Sequence, residues 1–152
     1  ILQNRGYQVV MTRTDHSAQL SNIDRAEIAN TSGAEIMVRI HANGVDDTSV
    51  KGALTFGPSS DNAYLSPELI ASSQRLGTDV VNKFCERTGA QNRGYCEDDG
   101  LTGVNWTQIP VTYIEMGFMS NPDEDLLMAD DNYQNLMAEG IANGIDAYFA
   151  GQ

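Results

Sequence analysis

His41 closes an alternating run, Glu35 to His41, and Glu115 sits inside a second run of apolar residues, Val111 to Met116. An imidazole at a strand's end can carry a proton or offer a lone pair to a metal. A carboxylate amid Val, Tyr, Ile and Met loses its water and needs a compensating partner. Burial would raise its pKa toward the working range of a general acid and base, and an adjacent dication would oppose that rise. Spacing alone also leaves structural roles open, a satisfied core histidine and a salt-bridged glutamate. Nucleophilic side-chain catalysis has no support, since only two histidines exist and Cys85 falls on the apolar side of a predicted helix.

The elements around these residues must bring them together. In Glu35 to His41, Ile36, Val38 and Ile40 share one face, while Met37, Arg39 and His41 share the other. Val111, Tyr113 and Glu115 likewise share a face. Tyr7 to Thr12 and Ala53 to Phe56 read as further strands. Ser21 with Asp24 resembles a capping box and starts a short helix that Gly33 stops. Ser66 and Pro67 open the longest helix, which runs to Gly89. Gln91 to Gln108 reads as a polar stretch, and Asn121, Pro122 and Glu124 announce the closing helical region. Strands alternating with helices predict an α/β fold, a twisted and mostly parallel sheet flanked by helices on both faces in a single domain. Ligands of open α/β sheets bind beyond the carboxyl ends of strands, where His41 and Glu115 are both expected.

Bulk properties narrow the partners. Nine Lys and Arg against 21 Asp and Glu give a net charge of −12, which opposes nucleic-acid binding. The acidic runs, such as Glu97 to Asp99 and Asp123 to Asp125, read as solvated surface and helix starts. No apolar run approaches the roughly 20 residues of a membrane span, and no signal segment opens the chain. Cys85 and Cys96 do not decide a redox compartment.

Arg39-Ile40-His41-Ala42-Asn43 and Ile114-Glu115-Met116-Gly117-Phe118-Met119-Ser120-Asn121-Pro122 resemble two signatures of the zinc-dependent N-acetylmuramoyl-L-alanine amidase catalytic domain, the amidase type 3 family. Supporting matches run through Gly6-Tyr7, Thr12-Arg13, Asp15, Leu20, Arg25, Asn30 and Gly52, so the resemblance spans essentially residues 1–152. It implies a single Zn²⁺ held by two histidines and a glutamate with a position left for water. His41 would be the second histidine ligand and Glu115 the catalytic glutamate. The family's other histidine and glutamate ligands are expected upstream of residue 1, so the domain over 1–152 is expected to be partial at its N-terminus. Neither His16 nor Glu27 matches a ligand position.

Asn43 is expected to shape the loop beside the metal and Arg93 to lie near the substrate groove, both as candidate substrate contacts. Arg13 and Arg25 are expected to pair with surface acids. Tyr95 and Trp106 are aromatics expected at the core's edge, with sugar stacking as the other reading. The implied activity is hydrolysis of the amide joining N-acetylmuramic acid to L-alanine in peptidoglycan. The implied setting is secreted or cell-wall, with any export signal outside this chain, and the expected state is a monomer. The alternative is a catalytically silent peptidoglycan-binding or regulatory module.

Overall fold

The computed structural model describes residues 1–15 and 17–151. The chain opens with a 3-10 turn, Gln3–Arg5, and then forms α1 (Asn22–Thr31), β1 (Met37–Asn43), β2 (Ala53–Gly57), α2 (Pro67–Thr88) and β3 (Asn92–Glu97). It continues through α3 (Thr102–Trp106), β4 (Val111–Phe118), α4 (Pro122–Met128) and α5 (Asp131–Ala150). The helix starts follow local chemistry. The Ser21 hydroxyl accepts the Asp24 amide and the Asp24 carboxylate takes the Ser21 amide in return, while Ser66 caps α2 ahead of Pro67.

The sheet order is β1-β4-β2-β3. Pairs β1–β4 and β2–β3 are parallel, and β2–β4 is antiparallel. Against one face pack α2 and α5, which enclose Leu76, Val80, Phe84, Ile114, Met137, Ile141, Ile145 and Tyr148. Against the other lie α1 and α3, with Ala29, Met37, Val104, Val111 and Tyr113 between them. Two glycines let α5 approach α2 closely: a Cβ on Gly144 would lie 2.4 Å from the Val80 Cα, and one on Gly140 2.8 Å from the Phe84 Cα. No helix among the described residues is long and apolar enough to cross a membrane.

Three local expectations change. Tyr7 to Thr12 forms no ladder, and Val10 and Met11 are 54% and 64% exposed. Strand-forming residues need a partner's backbone, and here a groove separates Val10–Arg13 from β1. The polar stretch 91–108 holds both β3 and α3. The first is an edge strand without apolar alternation, anchored by Tyr95, whose ring fills the space that Gly57 and Gly77 leave open and whose hydroxyl donates to the Pro58 carbonyl at 2.8 Å. The strand expected at Glu35 begins two residues later, where Met37 N–H donates to the Pro110 carbonyl at 2.8 Å.

Candidate active site

Parallel pairing of β1 with β4 puts Arg39 beside Tyr113 and His41 beside Glu115. Because alternate residues share a face, all four side chains lie on the α1–α3 side of the sheet. The pairing slips between His41 and Asn43, so the strand bends just past the histidine.

The surroundings fix His41 well. Its ring stacks on Tyr113, with centroids 5.5 Å apart and an interplanar angle of 6°. The Tyr113 hydroxyl accepts a hydrogen bond from Arg39, whose guanidinium also lies 4.3 Å from the ring centroid and donates to Asn22 Oδ1 at 3.0 Å. Gly103 of α3 leaves room for that contact, since a Cβ there would fall 2.1 Å from the Tyr113 hydroxyl oxygen. Burial, and then the positive charges of Arg39, Arg25 and Arg13, hold the His41 pKa below its ordinary value, so the neutral imidazole keeps a lone pair to donate.

Glu115 is half-buried, and its Oε2 is enclosed without a hydrogen-bond partner. Burial raises its pKa. An oxygen stripped of water and given no donor is a poor structural device and a suitable proton acceptor for a molecule entering the site. The strand end that carries it is locked from outside. Glu124 accepts the Phe118 amide with one oxygen and the Gly52 amide with the other, each at 2.8 Å, which joins the end of β4 to the chain entering β2. Asn30 on α1 takes the Gln108 amide at 2.8 Å and donates to the Trp106 carbonyl, which fixes the approach to β4.

The other expected site residues spread out. Asn43 ties its own turn, with its side-chain oxygen accepting the Gly44 amide and its carbonyl the Met119 amide, each at 2.8 Å. Arg93 is the second residue of β3, at the same end of the sheet as Glu115 and two strands away, with its guanidinium 5.7 Å from the Phe118 ring centroid. Glu27 accepts from the Trp106 indole on the α1–α3 surface, and Trp106 is 48% exposed. His16 lies outside the described residues. Cys85 and Cys96 are both free thiols, and burial pushes Cys85 up to about 11.

Arg13 and Arg25 do not find the surface acids expected of them. The ion pairs among the described residues are Arg5–Asp146, Lys83–Glu86 and Arg87–Glu139, and Arg25 reaches only the Thr12 hydroxyl, at 3.4 Å. Sequence reading also missed Tyr113 and Glu124 as positioning residues. For Tyr113 a signal was present, since it stands two places before Glu115 as Arg39 stands two before His41.

The arrangement fits part of a catalytic metal site. His41 offers a neutral imidazole and Glu115 an unpartnered oxygen at matching strand positions. No cluster of three or more His, Cys, Asp or Glu side chains able to hold a metal occurs among the described residues. The described residues thus bring together one imidazole and one carboxylate, fewer than the three protein ligands that a catalytic zinc requires.

Residues 1–147 match the family model for N-acetylmuramoyl-L-alanine amidase. The chain is 26% identical to the N-acetylmuramoyl-L-alanine amidase AmiA of Salmonella typhimurium, covering 98% of this chain and 63% of that protein's length. Among solved structures, the N-acetylmuramoyl-L-alanine amidase of Clostridium difficile 630 is 28% identical with a TM-score of 0.84, covering 95% of this chain and 73% of that one. The catalytic domain of CwlV, an N-acetylmuramoyl-L-alanine amidase of Paenibacillus polymyxa, is also 28% identical with a TM-score of 0.83, covering 99% and 77%. A family match over nearly every residue, on a backbone shared with solved members, means that this chain belongs to the N-acetylmuramoyl-L-alanine amidase family.

Proposed function

We propose that the chain forms part of a zinc-dependent hydrolase that cleaves the amide between N-acetylmuramic acid and L-alanine in peptidoglycan. The observation that carries this reading is the enclosed, unpartnered Glu115 oxygen beside a neutral His41 at the carboxyl ends of two paired strands. His41 would hold the zinc together with ligands that the described residues do not provide. Zinc, when bound, lowers the pKa of its water toward about 7 and polarises the scissile carbonyl.

The chain's own residues do the rest. Glu115 Oε2, free of hydrogen bonds, accepts a proton from the attacking water and returns it to the departing amine of L-alanine. The Tyr113 ring holds the His41 imidazole in plane, and Glu124 keeps the end of β4 from drifting. Arg93, on the far strand at the same end of the sheet, is the candidate substrate contact there, and Asn43, which accepts the Gly44 amide in its own turn, is the other. A substrate confined to the bacterial wall supports a secreted or wall-bound setting, and a monomer is the state proposed.

The test uses the full-length protein. Glu115→Gln is expected to keep zinc and still sediment with peptidoglycan, while release of new amino termini falls at least a hundredfold. His41→Ala is expected to lose zinc itself. Turnover retained by Glu115→Gln would reject the assignment, and wall binding by a wild-type protein that releases nothing would point to the silent module.

A further inference from the structure

We propose that Lys51 and Arg93 form a carboxylate-recognising subsite on the β3 side of Glu115, which reads the acidic peptide beyond the scissile amide; that choice of ligand rests on the amidase reading. Lys51 lies two residues before β2 and Arg93 is the second residue of β3, so both stand at the end of the sheet that carries Glu115. The two segments touch. The Arg93 guanidinium donates to the Lys51 carbonyl at 3.3 Å, and the Gln91 carbonyl accepts the Ala53 amide at 2.9 Å. Gly52 permits this approach, since its φ is +107° and a Cβ there would fall 2.5 Å from the Gln91 carbonyl oxygen.

Both cations lack an acid. The ion pairs among the described residues use Arg5, Lys83 and Arg87, so no Asp or Glu of these residues comes within 4.0 Å of Lys51 or Arg93. In a chain with 21 acidic and nine basic side chains, abundance alone would favour pairing. Glu124 is bonded next to Lys51 yet is turned to the backbone, with one oxygen accepting the Gly52 amide and the other the Phe118 amide, each at 2.8 Å. That carboxylate fixes the platform instead. Phe118 is 3% exposed, and its ring centroid lies 5.7 Å from the Arg93 guanidinium. Lys51 and Arg93 themselves are exposed and keep donors for a ligand.

A guanidinium fork with an ammonium beside it suits a carboxylate. The sheet sets which carboxylate that is. β3 is two strands from β4, which at the spacing of paired strands is about 10 Å from Glu115. An extended peptide advances about 3.3 Å per residue, so one running from Glu115 across β2 to β3 lays its second or third residue over Lys51 and Arg93. In peptidoglycan an acidic residue follows the L-alanine of the cleaved amide, and its carboxylate falls within that span.

The experiment measures binding in a Glu115→Gln background of the full-length protein, so that the ligand is not consumed. Calorimetric titration is run with a soluble muramoyl peptide whose carboxyls are free and with the same peptide amidated at every carboxyl. The free acid is expected to bind about tenfold more tightly, and adding Lys51→Gln or Arg93→Gln to cut that preference to about twofold or less, while Lys83→Gln leaves it intact. Because both side chains are exposed, each variant should melt within about 2 °C of its parent, which separates lost recognition from lost fold. Equal affinity for the two forms, binding of neither, or a preference that survives both substitutions overturns the subsite. Wild type that releases no new amino termini from peptidoglycan, while the preference and its loss hold, would reject the amidase reading and leave the carboxylate subsite standing.

Discussion

Glu115 and His41 are held in opposite senses by the same burial. A carboxyl whose folded pKa lies above its unfolded value binds its proton more tightly in the fold. The fold is therefore favoured while the proton is on, and it loses stability as pH rises through the ordinary value of 4.5 and beyond. In metal-free protein, Glu115→Gln removes that loss. The variant should melt higher than wild type near pH 7, and the gain should shrink as pH falls below the usual carboxylate range. A gain of equal size at both pH values would mean that the effect is packing rather than charge. For His41 the positioning surface is Tyr113, and ring and hydroxyl can be separated. Tyr113→Phe keeps the stacked ring and loses only the bond from Arg39, whereas Tyr113→Leu removes the plane on which the imidazole rests. In the full-length protein, the first should hold zinc within about twofold of wild type and the second about tenfold or more weakly, since fixing a ligating histidine is worth that much. Equal losses in both would assign the effect to the hydroxyl.

The elements deliver these residues through a few close contacts. Gly144 shows how little slack there is, because a Cβ at that position would meet the Val80 Cα and amide nitrogen, which are backbone and cannot swing aside. Gly144→Ala should force α5 away from α2 and cost about 1–3 kcal/mol, read as a melt lower by roughly 4–10 °C. The sequence made much of this framework readable. Ser21 with Asp24 and Ser66 with Pro67 mark helix starts by hydrogen bonds that need only local chain, and period-two alternation placed Arg39, His41, Tyr113 and Glu115 on their faces before any register was known. The remainder depended on distant partners. The strand character of Tyr7 to Thr12 has no expression without a neighbour to pair with. The edge strand β3 is held by one aromatic that seats against glycines 38 and 18 residues earlier, a contact that no local pattern reveals. Arg13 and Arg25 were expected to meet acids because acids are abundant, yet abundance says nothing about which carboxylates the fold brings within reach.

Over the whole molecule, metal content depends on how many ligands converge. A catalytic zinc requires three protein ligands and an open position, and affinity rises steeply with each ligand that is already in place. The described residues supply His41 and its neighbouring carboxylate and no third side chain, so residues 1–152 expressed alone should keep almost no zinc through dialysis without chelator. The full-length protein should keep close to one zinc per chain and lose it on His41→Ala. Protons compete with zinc for the imidazole, but burial and the three arginines hold the His41 pKa below its ordinary value of 6.5. Zinc retained by the full-length protein should therefore persist as pH falls through the ordinary histidine range and be released only in more acidic solution, traced by metal analysis of dialysed samples across a pH series. Release centred at the ordinary value would mean that burial and the arginine charges do not act on the ligating imidazole. Stoichiometric zinc on residues 1–152 alone would instead mean that a third ligand reaches His41 from within this chain, and the ligand set proposed for the family's site would have to be redrawn around it.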